Sequence, residues 1–148
     1  MTDTPQAAAI TPHLVCKDAA AAIDFYRAAL GAEELMRIPG PDGGLMHAAV
    51  SINGTQIFLV DENVGCGALS PTSLGGSSVT FNVGVTDVDA SISRAEAAGA
   101  TVKMSAEDQF WGDRYGMVED PFGHRWAFVA PIRQMSEGEI REAAAAFA

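Results

Sequence analysis

Lys17-Asp18-Ala19-Ala20-Ala21-Ala22-Ile23 returns, sixty-nine positions later, as Thr86-Asp87-Val88-Asp89-Ala90-Ser91-Ile92. The same shift carries Thr11 onto Thr80 and Gly54 onto Gly123, and Gly31 meets Gly99 after a one-residue slip. Identity between the halves is low, but the order of segment types is the same in both. A repeat of this length marks two copies of one supersecondary unit. Each copy opens with a short apolar run, Ile10–Cys16 and then Ser78–Val85. An aspartate follows, whose side chain accepts backbone N–H groups and starts a helix. Asp18 opens Ala19–Leu30, with Ile23, Tyr26, Ala29 and Leu30 at helical spacing, and Asp87 or Asp89 opens Ala90–Ala98. Gly31 and Gly99 end the two helices.

Three extended segments follow each helix: Glu33–Ile38, Leu45–Ile52 and Gln56–Val60, then Thr101–Ser105, Arg114–Glu119 and Arg125–Ala130. Turn residues separate them, with Asn53-Gly54 the strongest hairpin signal. Each half therefore reads β-α-β-β-β, and the fold class is α+β. One such unit cannot cover both faces of its sheet, so two must pack together. The predicted organisation is one domain with a first module over 9–62, a linker over 63–76, a second module over 77–132 and a closing helix over 136–147. The helix is announced by the capping box Ser136-Glu137-Gly138-Glu139.

At 148 residues, 48% hydrophobic and 19% charged, the chain has enough apolar volume for a packed core. Its net charge of −10 repels phosphate backbones and anionic lipid, which excludes nucleic acid and membrane surfaces as partners. Two cysteines, Cys16 and Cys66, do not make a disulfide scaffold or a zinc site. Met1–Ala9 carries no secretory signal pattern and no run is long enough to span a bilayer, so a cytoplasmic protein is expected. Nucleophilic catalysis has little support: there is no Gly-x-Ser-x-Gly elbow, and only a spatially adjacent His13 would offer Cys16 a base. No dinucleotide fingerprint is present, and Gly75-Gly76-Ser77-Ser78 precedes a strand where a phosphate loop needs a helix.

The paired modules and the turn Asp120-Pro121-Phe122-Gly123-His124-Arg125-Trp126 resemble the vicinal oxygen chelate superfamily. This superfamily includes glyoxalase I, bleomycin-resistance proteins, fosfomycin-resistance enzymes and extradiol dioxygenases. The closer likeness is to its PhnB-like branch, through Ile10-Thr11-Pro12-His13-Leu14, Ala22-Ile23-Asp24-Phe25-Tyr26, Leu30-Gly31-Ala32-Glu33 and Phe110-Trp111-Gly112-Asp113-Arg114-Tyr115-Gly116. The resemblance implies a cupped mixed sheet built from the two modules. In metal-dependent members it also implies four ligands, one on the first and one on the last strand of each module, closing on one divalent ion. Those positions fall here on Thr11, on Phe58 or Leu59, on Thr80 and on Ala127, and none is a competent ligand. No cofactor is therefore expected.

Side chains two apart on a strand share a face. His13 lies two past Thr11 and Asn82 two past Thr80, so both are expected to look into the same concave cavity, with His47 a further candidate. A displaced divalent site would need His13 and His47 to converge with Asp61 or Glu119; the plainer reading makes both histidines hydrogen-bonded pocket lining. Phe110, Trp111 and Tyr115 form an aromatic cluster that either stacks on a ligand or packs against protein. Arg125 shares the face of Ala127, where it contacts a ligand carboxylate or pairs with Glu119. Trp126, Phe25 and Tyr26 are expected in the core, and His124 is expected exposed.

Two functions follow. One is a metal-independent, homodimeric binder holding an aromatic or cationic small molecule, as the resemblance to bleomycin-resistance proteins implies, with His13, His47, Asn82, Phe110, Trp111, Tyr115 and Arg125 as contacts. The other is a lyase, isomerase or epimerase using a displaced metal or His13 as general base.

Overall fold

A computed structural model describes residues 10–147; the segment in which the signal pattern was sought, Met1–Ala9, lies outside them. The first helix, α1 (Ala19–Leu30), begins where expected: the Asp18 carboxylate accepts from Ala21 N–H at 3.0 Å, and Gly31 ends the helix in the left-handed region. A second carboxylate supports the same helix end. One oxygen of Asp61 accepts from Ala19 N–H and the other from Leu45 N–H, both at 2.7 Å. In the second module Asp87, rather than Asp89, is the cap, so the corresponding helix spans Val88–Ala98. We number it α3, because the linker between modules contains, after a 3-10 turn over Val64–Cys66, a short capped helix, α2 (Pro71–Leu74).

The strands are β1 (His13–Cys16), β2 (Glu33–Pro39), β3 (Leu45–Ile52) and β4 (Thr55–Asp61), then β5 (Thr80–Gly84), β6 (Thr101–Asp108), β7 (Asp113–Glu119) and β8 (Arg125–Pro131). They form two four-stranded mixed sheets of matching order, β1-β4-β3-β2 and β5-β8-β7-β6. The outer pairs β1–β4 and β5–β8 are parallel and the rest antiparallel. The β3–β4 hairpin turns on Asn53 and Gly54, at φ 51° and 82°, the backbone that Asn-Gly adopts most readily. Two βαβββ modules are thus present, as the repeat predicts. Strands β1 and β5 begin later than expected, at His13 and Thr80, because only from there do they have a ladder partner.

Each sheet lays one face on helices. In the first, Leu14, Leu59 and Ala48 stand side by side beneath α1, and Cys16, Val50 and Ile57 are buried with them. In the second, Trp126, Phe128 and Val118 are buried on the α3 side. There a Cβ on Gly116 would strike the Ile92 side chain of α3. Both sides belong to one apolar cluster that runs from Leu14 through Tyr26 and Ile92 to Trp126. The modules are also joined by polar bonds: Arg94 donates to Ala28 carbonyl at 2.7 Å, and Asn53 to Gly84 carbonyl at 3.0 Å. The last helix, α4 (Glu137–Phe147), has the expected reciprocal capping bonds between Ser136 and Glu139. Among the described residues, no helix is long and apolar enough to cross a membrane.

Candidate functional site

With one face of each sheet committed to the helices, the alternate side chains present the other. In the first sheet, His13, Phe58 and Ala49 stand in register across β1, β4 and β3. His47, two residues before Ala49, points the same way. The His13 and His47 rings lie 5.8 Å apart, and Phe58 lies 4.8 Å from His47 and 5.9 Å from His13, all edge to face. The structure therefore brings His13 and His47 together. Phe58 completes the group, and the choice between Phe58 and Leu59 is settled because Leu59 is buried beneath α1. Partial burial, helped by the adjacent His47, holds His13 below its ordinary pKa of 6.5, so it is neutral near pH 7.

On the second sheet the equivalent row is Asn82, Ala127, Met117 and Met104. The preceding row is Thr80, Arg125, Glu119 and Thr101. Arg125 Nε lies 3.6 Å from Glu119, the pairing expected of it, and Lys103 approaches the other carboxylate oxygen at 3.6 Å. His13 and Asn82 were expected in one cavity; they line two neighbouring ones that share Pro12 and Phe81.

The aromatic group assembles as its spacing suggests. Trp111 packs against Phe110 and Tyr115, with centroids at 5.0 and 6.1 Å, and its indole N–H donates to Asp113 at 3.0 Å. Phe110 also meets Phe147 of α4 at 5.2 Å, so the closing helix sits over this corner. Phe147 was readable only as the end of an apolar helix stripe, with nothing local to say which surface it meets.

One further expectation is overturned, and one open alternative is closed. His124 is not exposed: it is 6% accessible, its ring Nε2 is 3.0 Å from Val15 carbonyl, and its backbone N–H donates to Asp120. A carbonyl only accepts, so Nε2 is the donor in this bond. The ring lines the same cavity as His13, and it went unforeseen because its partner lies 109 residues away. Nor does His13 serve Cys16 as a base. Cys16 is buried on the α1 face while His13 looks the other way, and burial together with Asp120 pushes the thiol well up. A thiol so placed is no nucleophile.

The positions that hold a divalent ion in metal-dependent relatives present here two hydroxyls, a phenyl ring and a methyl group, a donor set that does not fit such an ion. The displaced alternative also lacks its carboxylate. Asp61 is engaged by Ala19 and Leu45, and Glu119 stands on the other sheet between Arg125 and Lys103. Among the described residues, no three His, Cys, Asp or Glu side chains converge on a common point.

This architecture has relatives. The family model for the glyoxalase/bleomycin resistance protein/dioxygenase superfamily matches residues 7–128. An uncharacterised protein of Mycobacterium bovis is 54% identical over 138 residues, 91% of each chain. The crystal structure of TioX from Micromonospora sp. ML1 superposes with a TM-score of 0.65 at 28% identity, covering 84% of this chain and 99% of that one. A PhnB protein from Bacillus cereus, 17% identical, has the same fold with a TM-score of 0.62 over 83% of this chain and 99% of its own. With the matched span running from before β1 into β8 and the sheet order repeated in each module, the chain belongs to the glyoxalase/bleomycin resistance protein/dioxygenase superfamily.

Proposed function

We propose that this protein is a cytoplasmic small-molecule binder that holds an aromatic compound without a metal ion. The observation that carries the reading is the content of the helix-free faces. Where metal-dependent relatives place ligands, this chain has Thr11, Phe58, Thr80 and Ala127, and around them stand groups suited to organic ligands: His13 and His47 against Phe58, and Asn82 and Met117 on either side of Ala127. Trp111 and Tyr115 add ring faces, each worth about 0.5–1.5 kcal/mol to a stacked ligand.

The working unit is a homodimer. Met36 and Ile38 on β2 share the face of Ala49 and His47 and are 44% and 41% exposed, and a second copy would cover them. Light scattering should then give twice the 15.4 kDa chain mass.

The test combines metal analysis with fluorescence titration. Protein purified without chelators should contain no stoichiometric divalent ion. A naphthalene-based aromatic should change the tryptophan emission, and Trp111→Ala should weaken that binding about tenfold. A tightly held ion lost in His13→Ala would overturn the reading.

A second reading rests on His13 itself. A partly desolvated imidazole, neutral near pH 7, is a competent general base, and the superfamily fold hosts lyases and isomerases. It requires turnover of a bound compound that disappears in His13→Asn while binding persists.

A further inference from the structure

Opposite the α3 side of the second sheet, side chains form successive cross-strand rows. The first is Thr80–Arg125–Glu119–Thr101 and the second Asn82–Ala127–Met117–Met104. Rows on one face are about 6.5 Å apart. A polar, charged row therefore borders a flat apolar one. In the first module the residue equivalent to Arg125 is Gln56, sixty-nine positions earlier, so the charge belongs to one sheet only.

Arg125 is incompletely satisfied. Its Nε is buried and makes no hydrogen bond, since Glu119 at 3.6 Å lies beyond hydrogen-bond range. Glu119 is shared with Lys103 at the same distance, so one carboxylate faces two cations. The group carries a net charge of +1 although the whole chain carries −10. A guanidinium offers a planar fork matched to a carboxylate, and a charge of +1 is balanced by a monoanion.

Building on the small-molecule reading above, we propose that the ligand is an aromatic monocarboxylate. Its carboxylate sits on the exposed end of the Arg125 guanidinium and its ring lies over Met117, while Ala127 between the strands is fully buried and forms only the floor. The acidity of the chain as a whole would favour a cation at long range. At this sheet face the nearest charges decide, and these favour an anion. Glu107 stands opposite Tyr115, a further row away, and does not face the Arg125 end.

The test measures affinities of three matched probes, 2-naphthoate, 2-naphthamide and 2-naphthylmethylammonium, by calorimetry on the full chain. The expected result is naphthoate binding about tenfold more tightly than naphthamide, with the ammonium weakest. Arg125→Gln should bring naphthoate down to the naphthamide level and leave naphthamide unchanged. Glu119→Gln, which frees the guanidinium without removing it, should raise the naphthoate preference, so the claim stays testable if the Arg125 variant does not fold. Equal or tighter binding of the amide or the ammonium overturns the carboxylate assignment while small-molecule binding stands. So does a naphthoate preference that survives Arg125→Gln or falls in Glu119→Gln. If none of the three probes binds, the small-molecule reading falls as well.

Discussion

The Tyr26 phenol donates to the Asp120 carboxylate at 2.5 Å, joining the first helix of one module to the β7–β8 turn of the other. Trp126 Nε1 donates to the same oxygen at 2.9 Å, and the backbone N–H groups of Phe122 and His124 take the other oxygen, each at 2.9 Å. Asp120 is only 4% exposed, so a buried carboxylate is held by four donors and leaves no oxygen free for a ligand. Its part is to hold the modules together.

Tyr26→Phe should therefore lower stability by about 1.5–3 kcal/mol, because it removes a hydrogen bond to a charged group and keeps the ring packing. Denaturant unfolding with a Trp126→Phe double-mutant cycle should show coupling, since both donors share one oxygen. Burial, with the Asp120 charge next in weight, raises the Tyr26 pKa well above 10. A raised phenol pKa favours the protonated form in the fold, so this stabilisation is complete below about pH 10 and is lost as pH rises beyond it. The alkaline fall in stability should be shallower in Tyr26→Phe; an unchanged fall would remove Tyr26 from this role.

His13 should titrate in the opposite sense. Its pKa is lowered by partial burial and by His47, so the unfolded chain takes up a proton at higher pH than the native one. Stability from this group is present above pH 6.5 and falls as pH drops from there to the native midpoint. NMR of the ring protons should place that midpoint below 6.5 and move it upward in His47→Gln. A midpoint at or above 6.5 would contradict the packing of the two rings.

Gly116→Ala should destabilise by about 1–3 kcal/mol, because the new Cβ meets the Ile92 side chain and the Ala106 backbone. Ile92→Val removes the colliding methyl and should recover part of the loss in the double mutant. The Ala106 contact, at 3.2 Å to backbone atoms, should remain. Additive losses from the two substitutions would place Gly116 elsewhere.

The two thiols should separate cleanly under a thiol reagent. Cys66 is exposed and Cys16 is buried with a raised pKa, so native protein should titrate one thiol quickly and the second only on unfolding. Rapid labelling of both would show that β1 opens readily from the core.

The sixty-nine-residue repeat, the aspartate caps and the Asn-Gly turn are enough to give the two βαβββ units, the boundaries of α1 and the order of elements along the chain, while the order of strands within each sheet comes from the structure. Alternation along a strand likewise placed Trp126 in the core and Arg125 beside Ala127, because the side-chain period of two needs no partner. Asp89 against Asp87 was undecidable from spacing, as either residue can cap. His124 was misread because a turn residue is ordinarily exposed; only the approach of Val15 from the other module buries it. Asp61, one of the two carboxylates that a displaced ion would need, is held instead by backbone N–H groups 42 and 16 residues away, which nothing in its neighbouring sequence announces. What a chain does within one strand or one helical turn is governed by its own residues. Which side chains meet across modules, and so which polar groups are left free for a ligand, was decided only when the two halves closed on a common core.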